Sequence, residues 1–172
     1  MNSLKLISPT LSLEKEYNEM MAEWNASKEE YIPWTLGLYK KSFKEYVEKL
    51  EEHSKGINLP EKLIPHSSFW LVNENGKVLG TSNLRHRLTE QLLIKGGHIG
   101  YGIRPSERRK GNATKILELT LLEAKKLGIE KALITCNKSN IGSAKTIVKN
   151  GGIFWKEASF PKRITQYYWV EI

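Results

Sequence analysis

The segment HIGYGIRPSERRKGNATKIL, residues 98–117, carries the most informative pattern of the chain. Large apolar residues alternate with small ones at its start, which predicts a strand over residues 98–103. Pro105 cannot donate to a sheet ladder and ends this strand. A basic loop follows, and apolar residues at helical spacing predict a helix over residues 112–127. The segment therefore predicts a strand, a loop and a helix in direct succession.

The two faces of the predicted strand differ in character. Ile99, Tyr101 and Ile103 lie on one face, where they can pack on a core. The other face carries His98 and two glycines, so an extended ligand could lie close to the backbone there. A bulge in the strand would shift this register.

The loop between strand and helix has the composition of an anion site. Arg108, Arg109 and Lys110 concentrate positive charge in it, and arginine can bind a phosphate through two parallel hydrogen bonds. The free N–H groups and the dipole of a helix's first turn attract the same kind of ligand. Gly111 allows a phosphate to approach the backbone, or a torsion that a Cβ would forbid, and Ala113 keeps the turn small. These residues predict a phosphate-binding loop.

The rest of the chain predicts a mixed α+β fold. The expected elements are helices at 12–25, with Ser12 as N-cap, and at 36–53; a hairpin around Asn75-Gly76; a strand at 132–136; a helix at 141–149, capped by Asn140 or Ser139; and two last strands at Phe154-Trp155 and 164–170. A strand, a crossover helix and a second strand imply one parallel pair in the middle of a mostly antiparallel sheet.

Composition narrows the function classes. A chain of 172 residues suits one domain with its own core. It has no apolar run that would span a bilayer, no secretory signal pattern and a single cysteine, Cys136, so we expect a cytoplasmic protein without disulfides, membrane segments or a cysteine-based zinc site. The net charge of +8 is compatible with nucleic-acid binding, but its densest cluster lies in one loop, which favours a local anion site.

The motif Ile103-x-Pro105-x-x-Arg108-x-x-Gly111-x-Ala113 resembles the acetyl-CoA signature R/Q-x-x-G-x-G/A of the GNAT superfamily of N-acetyltransferases. A second match follows, because Asn140-x-x-Ser143 leads from the predicted strand 132–136 into a helix that ends in Asn150-Gly-Gly. The HIGYGI strand is similar to the IGY-type strand of the branch that acetylates ribosomal-protein N-termini and antibiotics.

The resemblance implies one acetyltransferase domain over residues 1–172, with helices on both faces of the sheet. It implies acetyl-CoA as cosubstrate, no metal, and direct transfer of the acetyl group to a primary amine of a small molecule, peptide or protein. The pantetheine arm would lie between the two splayed parallel strands, and the diphosphate would lie on the loop. The implied coenzyme-binding residues are Ile103, Arg108, Arg109, Lys110, Gly111, Asn112, Ala113, Thr114, Asn140 and Ser143.

The chain departs from the family pattern at the catalytic positions. Many members carry a tyrosine seven residues after the asparagine, as the acid for the leaving thiolate, and this chain has Ile147 there. Tyr101 is the first substitute, Tyr167 or Tyr168 are others, and solvent could also protonate a thiolate. His98 occupies a position that is often glutamate and is the candidate base; the alternative interpretation is a hydrogen-bonded structural histidine.

Several alternatives stay open at this point. The aromatic residues Trp24, Tyr31, Trp34 and Tyr39 either line an acceptor pocket or belong to the core. The missing tyrosine is compatible with a non-catalytic CoA-binding sensor, and the positive charge with a nucleic-acid-binding module. Members of the family often dimerise, so a homodimer is a further expectation. The sequence does not identify the amine acceptor.

Overall fold

The computed structural model describes residues 3–38 and 41–172, which form seven strands and five α-helices. In chain order these are β1 Lys5–Ile7, α1 Glu14–Ser27, α2 Phe43–Ser54, β2 His66–Val72, β3 Val78–Arg85, α3 Glu90–Ile94, β4 Ile99–Ile103, α4 Asn112–Lys126, β5 Lys131–Asn137, α5 Ile141–Lys149, β6 Ile153–Phe160 and β7 Arg163–Glu171. Short 3₁₀ turns cover Leu11–Leu13, Trp34–Leu38 and Pro105–Glu107.

The strands form one sheet in the order β1-β2-β3-β4-β5-β7-β6. Every neighbouring pair is antiparallel except β4 and β5, which are parallel. The predicted fold class is therefore confirmed. The β4–β5 ladder pairs only Ile99 with Ile134, whereas β3 pairs with β4 from Leu84–Ile99 to Gly80–Ile103. Beyond Ile99, β4 is thus hydrogen-bonded on one side only, and a gap opens towards β5.

Helices cover both faces of this sheet. Helices α1 and α2 bury an aromatic cluster against one face, whose largest members are Tyr17, Trp24, Phe43, Tyr46 and Trp70. Helices α4 and α5 pack on the other face with Leu117, Leu121, Ile134, Ile147 and Tyr168. Burying one such side chain fully stabilises the fold by roughly 1.5–3 kcal/mol. The first cluster packs against β2 and β3, and the second packs mainly against β4, β5 and β7.

The structure corrects several element boundaries. Ser12 lies in a 3₁₀ turn and does not cap α1, which begins at Glu14 without a side-chain cap. The predicted helix 36–53 begins only at Phe43, because Ser42 Oγ accepts from the Glu45 amide and fixes the start there. Strand β1 and helix α3 were not predicted, and β6 extends well beyond Phe154-Trp155. Asn140 caps α5 as expected, since its Oδ1 accepts from the Ser143 amide at 3.0 Å.

Candidate functional site

The turn that leads into α4 carries a row of free backbone donors. Arg109 has φ +62° and Gly111 has φ +85°, both in the left-handed region. The first helical bond runs from the Lys115 amide to the Gly111 carbonyl at 3.1 Å. Within residues 3–38 and 41–172, no acceptor bonds the N–H groups of residues 110–114. Such a row of free donors at a helix N-terminus attracts an anion.

Position 111 requires a glycine because of its backbone torsion angle. A Cβ built on it would have no atom within 4 Å, so no neighbouring atom of the protein excludes a side chain there. A φ of +85° is nevertheless strained for any L side chain. The open space in front of Gly111 is where a ligand could approach the backbone.

Glu107 holds the two ends of this turn together. Its backbone carbonyl accepts from Asn112 Nδ2 at 2.9 Å, and its carboxylate pairs with Lys77 at 2.5 Å and Lys110 at 3.0 Å. The hydrogen bond from Lys77 is the main reason that the pKa of Glu107 lies below its usual range. The side chains of Asn112 and Lys110 therefore stabilise the loop. The backbone N–H of Asn112 remains one of the free donors.

The three cations of the loop have different partners. Arg108 donates to the Ile103 carbonyl at 3.1 Å and to both oxygens of Glu29, with its guanidinium 5.8 Å from the Trp24 ring centre. Arg109 is exposed and has no ion pair within the part of the chain that the structure describes. The free cation of the loop is therefore Arg109.

Arg104 is a structural cation that the sequence interpretation did not single out. Its side chain is only 5% exposed and is surrounded by carboxylates of α1: Glu16 at 3.1 Å, Glu19 at 3.6 Å and Glu23 at 2.7 Å. Glu23 also accepts from the Ser106 amide at 3.1 Å, so it holds the exit of β4 and the following turn. The 3–4 spacing of the three glutamates on one helix face was a signal of this cluster in the sequence.

Tyr101 and Ser143 meet across the gap between β4 and β5. The Tyr101 hydroxyl lies 2.9 Å from Ser143 Oγ in the first turn of α5. Burial raises the pKa of Tyr101 to about 12, so the phenol keeps its proton at all ordinary pH values. Because β4 lacks a β5 partner here, some of its amides point away from β3 into the gap. The gap thus combines backbone donors with a protonated phenol.

His98 joins the two strands at the closed end of the gap. Its backbone N–H donates to the Leu133 carbonyl at 2.7 Å, and its ring Nδ1 accepts from the Leu133 amide at 2.9 Å. The residue is 6% exposed, and burial, followed by the charge of Arg85, lowers its pKa to about 4. Nδ1 therefore accepts a structural bond, so the neutral ring carries its proton on Nε2 and has no free nitrogen lone pair for a further proton.

The bare face of β4 is covered by the chain itself, which corrects the expectation of a ligand there. A Cβ at Gly102 would lie 2.0 Å from the Ile32 carbonyl oxygen, and one at Gly100 would lie 3.7 Å from Pro33 Cβ. These glycines admit the segment between α1 and α2 rather than a ligand. Trp34, in the same segment, is exposed and lines a cavity of about 550 Å³.

The other predicted aromatic residues have separate places. Trp24 is buried in the core cluster of α1 and α2, and the Tyr31 hydroxyl donates to Asn25 Oδ1. Tyr39 lies outside the described residues. Among the described members of the predicted aromatic set, Trp34 is the one that lines this cavity.

The alternative tyrosines are engaged within the fold. Tyr167 donates to the Ile94 carbonyl, and Tyr168 donates to Gln166 Oε1 at 2.9 Å. Ile147 stands at the position where many family members carry a tyrosine. Its side chain is fully buried in the α4–α5 cluster and makes apolar contacts there. Cys136 is 8% exposed, and burial raises the pKa of its thiol.

Residues 3–38 and 41–172 contain no helix that is long and apolar enough to cross a membrane. They also contain no group of three or more His, Cys, Asp or Glu side chains arranged to hold a metal ion.

The geometry can be compared with solved structures. A ribosomal alpha-N-protein acetyltransferase in complex with coenzyme A, in a disulfide with one of its cysteines, superposes with a TM-score of 0.70 at 16% identity over 99% of this chain and 94% of that chain. An N-acetyltransferase from Staphylococcus aureus Mu50 gives 0.65 at 18% identity over 98% of both chains. A spermidine N-acetyltransferase chimera from Vibrio cholerae and hSSAT gives 0.62 at 14% identity over 98% and 95%. At these identities the likeness shows the fold.

Sequence comparison assigns the family. No curated protein matches the sequence significantly. The family model described as the acetyltransferase (GNAT) domain matches residues 6–153, which is most of the 172-residue chain. The chain therefore belongs to the GNAT acetyltransferase family, whose members use acetyl-CoA.

Proposed function

We propose that the protein, as one domain over residues 1–172, transfers the acetyl group of acetyl-CoA directly to a primary amine in a ternary complex. The observation that carries this proposal is the row of free amides at residues 110–114, next to the gap between β4 and β5. A diphosphate on the row would bring the rest of the coenzyme to the mouth of that gap. Family membership supports the same reaction class.

The loop residues divide the work of holding the diphosphate. The amides of Gly111, Asn112, Ala113 and Thr114 donate to it, aided by the α4 dipole. Arg109 supplies the unpaired positive charge. Arg108 and Lys110, together with the Ile103 carbonyl and Glu107, fix the loop in shape. These side chains act on the coenzyme through the backbone that they hold.

The gap between the strands is the proposed channel for the pantetheine arm. Its walls are β4 on one side and the first turn of α5, with Asn140 and Ser143, on the other. Unpaired amides of β4 would polarise a carbonyl placed there, as an oxyanion hole does. Tyr101 points its protonated hydroxyl at the same turn and can donate a hydrogen bond to a departing thiolate.

The chemistry requires a neutral amine. Acetyl-CoA supplies an activated thioester, whose C–S bond breaks as the amine nitrogen forms a C–N bond to the acetyl carbon. An alkyl amine has a pKa of about 10.4, so a proton must leave it before or during attack. His98 could take up that proton only at Nδ1, by losing the bond from the Leu133 amide, and a pKa of about 4 makes it a weak base. We therefore assign His98 to positioning β4 against β5, and the proton to water.

The two alternative functions are a CoA-binding sensor and a nucleic-acid-binding module. A CoA-binding sensor would keep the coenzyme loop and lack turnover, which the absence of the usual tyrosine at Ile147 would explain. A nucleic-acid module would need accessible cations, yet Arg104, Arg108 and Lys110 already pair with glutamates. These pairs count against a nucleic-acid track at this loop.

The test has a binding arm and a turnover arm. Acetyl-CoA at a hundredfold excess over its Kd should stabilise the fold by about 2.7 kcal/mol, seen as a higher melting temperature. A panel of primary amines with isotopically labelled acetyl-CoA should then yield an acetylated product by mass spectrometry. Stabilisation without product would favour the sensor. An unchanged melting curve at millimolar acetyl-CoA would remove the proposal.

A further inference from the structure

The cavity that Trp34 lines lies at the other end of β4 from the coenzyme loop. The cavity has a volume of about 550 Å³ and is bounded by the loop before β2, the end of β3 and helix α3. Its apolar walls are Trp34, Leu63, Ile64, Leu92 and Ile94. Such a volume and lining suit a small organic ligand with an apolar body.

The cavity has cationic residues and lacks anionic ones. Arg85, Lys62 and Lys95 line it, and none of its described lining residues is Asp or Glu. Within residues 3–38 and 41–172, no carboxylate forms an ion pair with any of these three cations. A cavity with this lining attracts negative charge and repels polycations.

Arg85 is the most constrained of the three cations. It is the last residue of β3, and its Nη1 donates to the carbonyls of Gly96 at 3.3 Å and Gly97 at 3.1 Å. A guanidinium has five N–H donors. Those on Nε and Nη2 have no acceptor within the described part of the chain. Leaving a half-buried guanidinium unpaired is costly, and an anionic ligand would remove that cost.

His66, which also lines the cavity, is neutral. Its Nδ1 faces Asn83 Nδ2 at 2.8 Å, and its Nε2 faces His53 Nδ1 at 3.1 Å, so both ring nitrogens are used. Because Asn83 Nδ2 donates to Nδ1, the ring proton lies on Nε2 and the imidazole is neutral. Trp34 packs edge-on against this ring, with centres 5.4 Å apart. The histidine thus forms a neutral wall, and Arg85 sets the charge of the cavity.

The place of Arg85 connects the cavity to β4. The carbonyls that it holds belong to the turn directly before β4, and its own amide donates to the His98 carbonyl at 2.8 Å. A ligand whose anionic group meets Arg85 would therefore lie beside the first residues of the strand along which the pantetheine is proposed to run.

We propose that this cavity is the acceptor site and that Arg85 pairs with a carboxylate of the acceptor, which is then an amine of the amino-carboxylate class with an apolar body. This inference rests on the proposed function. The apolar walls contact the body of the molecule, and the guanidinium donates two parallel hydrogen bonds to the carboxylate. Polyamines, which lack an anion, are excluded as preferred acceptors.

The experiment compares matched acceptors. Leucine, leucinamide, isoamylamine and spermidine are each assayed with acetyl-CoA, and the thermal shift that each amine adds to the acetyl-CoA-saturated protein is recorded. We expect kcat/KM for leucine to exceed that for leucinamide by at least about tenfold, and only leucine to add a thermal shift. A leucine-terminated dipeptide is assayed as well, to distinguish a free amino acid from a peptide as the acceptor.

Variants assign the preference to Arg85. R85Q should lower kcat/KM for leucine at least about tenfold more than that for leucinamide, while R85K should keep part of the preference. R87Q, at an exposed arginine outside the cavity lining, is the matched control and should keep it all. The acetyl-CoA thermal shift of each variant shows that the fold and coenzyme site are intact.

The outcomes separate the two proposals. Equal or better turnover of leucinamide or spermidine, or equal thermal shifts from leucine and leucinamide, overturns the amino-carboxylate assignment and leaves the acetyltransferase proposal standing. Retention of the full leucine preference in R85Q also overturns it. The absence of any thermal shift on addition of acetyl-CoA to the wild-type protein overturns the proposed function itself.

Discussion

Arg108 donates to both carboxylate oxygens of Glu29, from Nη1 to Oε1 at 2.8 Å and from Nη2 to Oε2 at 2.6 Å. This bidentate pair connects the basic loop to the segment just after α1, and it raises the pKa of Arg108 while lowering that of Glu29. The loop is therefore shaped by contacts within the protein. Its capacity to bind an anion resides in the amides and in Arg109.

Arg109 is expected to contribute charge to coenzyme binding. R109Q should weaken acetyl-CoA binding about tenfold, because it removes one charge-assisted contact to phosphate. Titration calorimetry at low and high salt measures the effect, which should shrink as salt rises. Pantetheine, which has no diphosphate, should bind R109Q and wild type equally. K125Q, at an exposed lysine at the far end of α4, is the control.

Gly111 is expected to be indispensable for binding rather than for folding. G111V forces a side chain into φ +85° and distorts the donor row, so acetyl-CoA should lose most of its stabilising effect. Gly128 provides a matched control, since it has φ +77°, open space around its Cβ and a place at the other end of α4. G128V should lower stability by a comparable amount, about 1–2 kcal/mol, and keep the full acetyl-CoA shift. Equal acetyl-CoA shifts in both variants would refute the role of Gly111.

Tyr101 is expected to act on the leaving thiolate. Y101F removes the hydroxyl that reaches Ser143, so kcat should fall about tenfold or more while KM for acetyl-CoA changes little. Y167F and Y168F test the alternative tyrosines and should leave kcat near the wild-type value. Because the pKa of Tyr101 is about 12, no loss of rate from its ionisation is expected up to pH 10. A kcat for Y101F equal to that of wild type would assign the hydroxyl a structural role only.

The buried histidines predict a stability change with pH. His98 and His66 have folded pKa values of about 4, whereas an unfolded histidine has a pKa of about 6.5. Between these values the unfolded chain binds more protons, so the free energy of unfolding should fall as pH decreases from 6.5 to 4, by up to about 1.4 kcal/mol per pH unit for each histidine. Denaturant unfolding across this range measures the slope.

H98N isolates one of these contributions. The asparagine Oδ1 can accept from the Leu133 amide in place of Nδ1 but does not titrate. The slope of the free energy of unfolding against pH should therefore decrease by the contribution of about one proton. Turnover at pH 7 should remain within a few-fold of wild type. A loss of about 10²–10⁴ in kcat would instead identify His98 as the general base.

Local patterns made much of the fold predictable. The succession of β4, loop and α4 follows from alternation, a proline, a glycine and helical spacing, all within residues 98–117. Strand β1 has only three residues and exists through its pairing with β2, and α3 has five residues, so neither has a periodic pattern of its own. The predicted helix 36–53 was too long because apolar spacing continues across Ser42, where the cap begins α2.

The site was less predictable than the fold for a physical reason. The glycine and the cations of the loop are local features, but the partners of Arg104 and Arg108 lie about 80 residues away on or just after α1. The role of His98 depends on the register of β4 against β5, and the cover over Gly102 depends on the path of Ile32. These are tertiary relationships, which spacing along one segment does not encode.

The most direct measurement follows the backbone amides of residues 110–114 by NMR while coenzyme A is added. Binding of the diphosphate to the donor row predicts that these amides show the largest downfield shifts in the spectrum, and that pantetheine, which lacks the diphosphate, leaves them nearly unmoved. Saturation by coenzyme A with these amides unshifted, and the principal shifts in another part of the chain, would contradict the account.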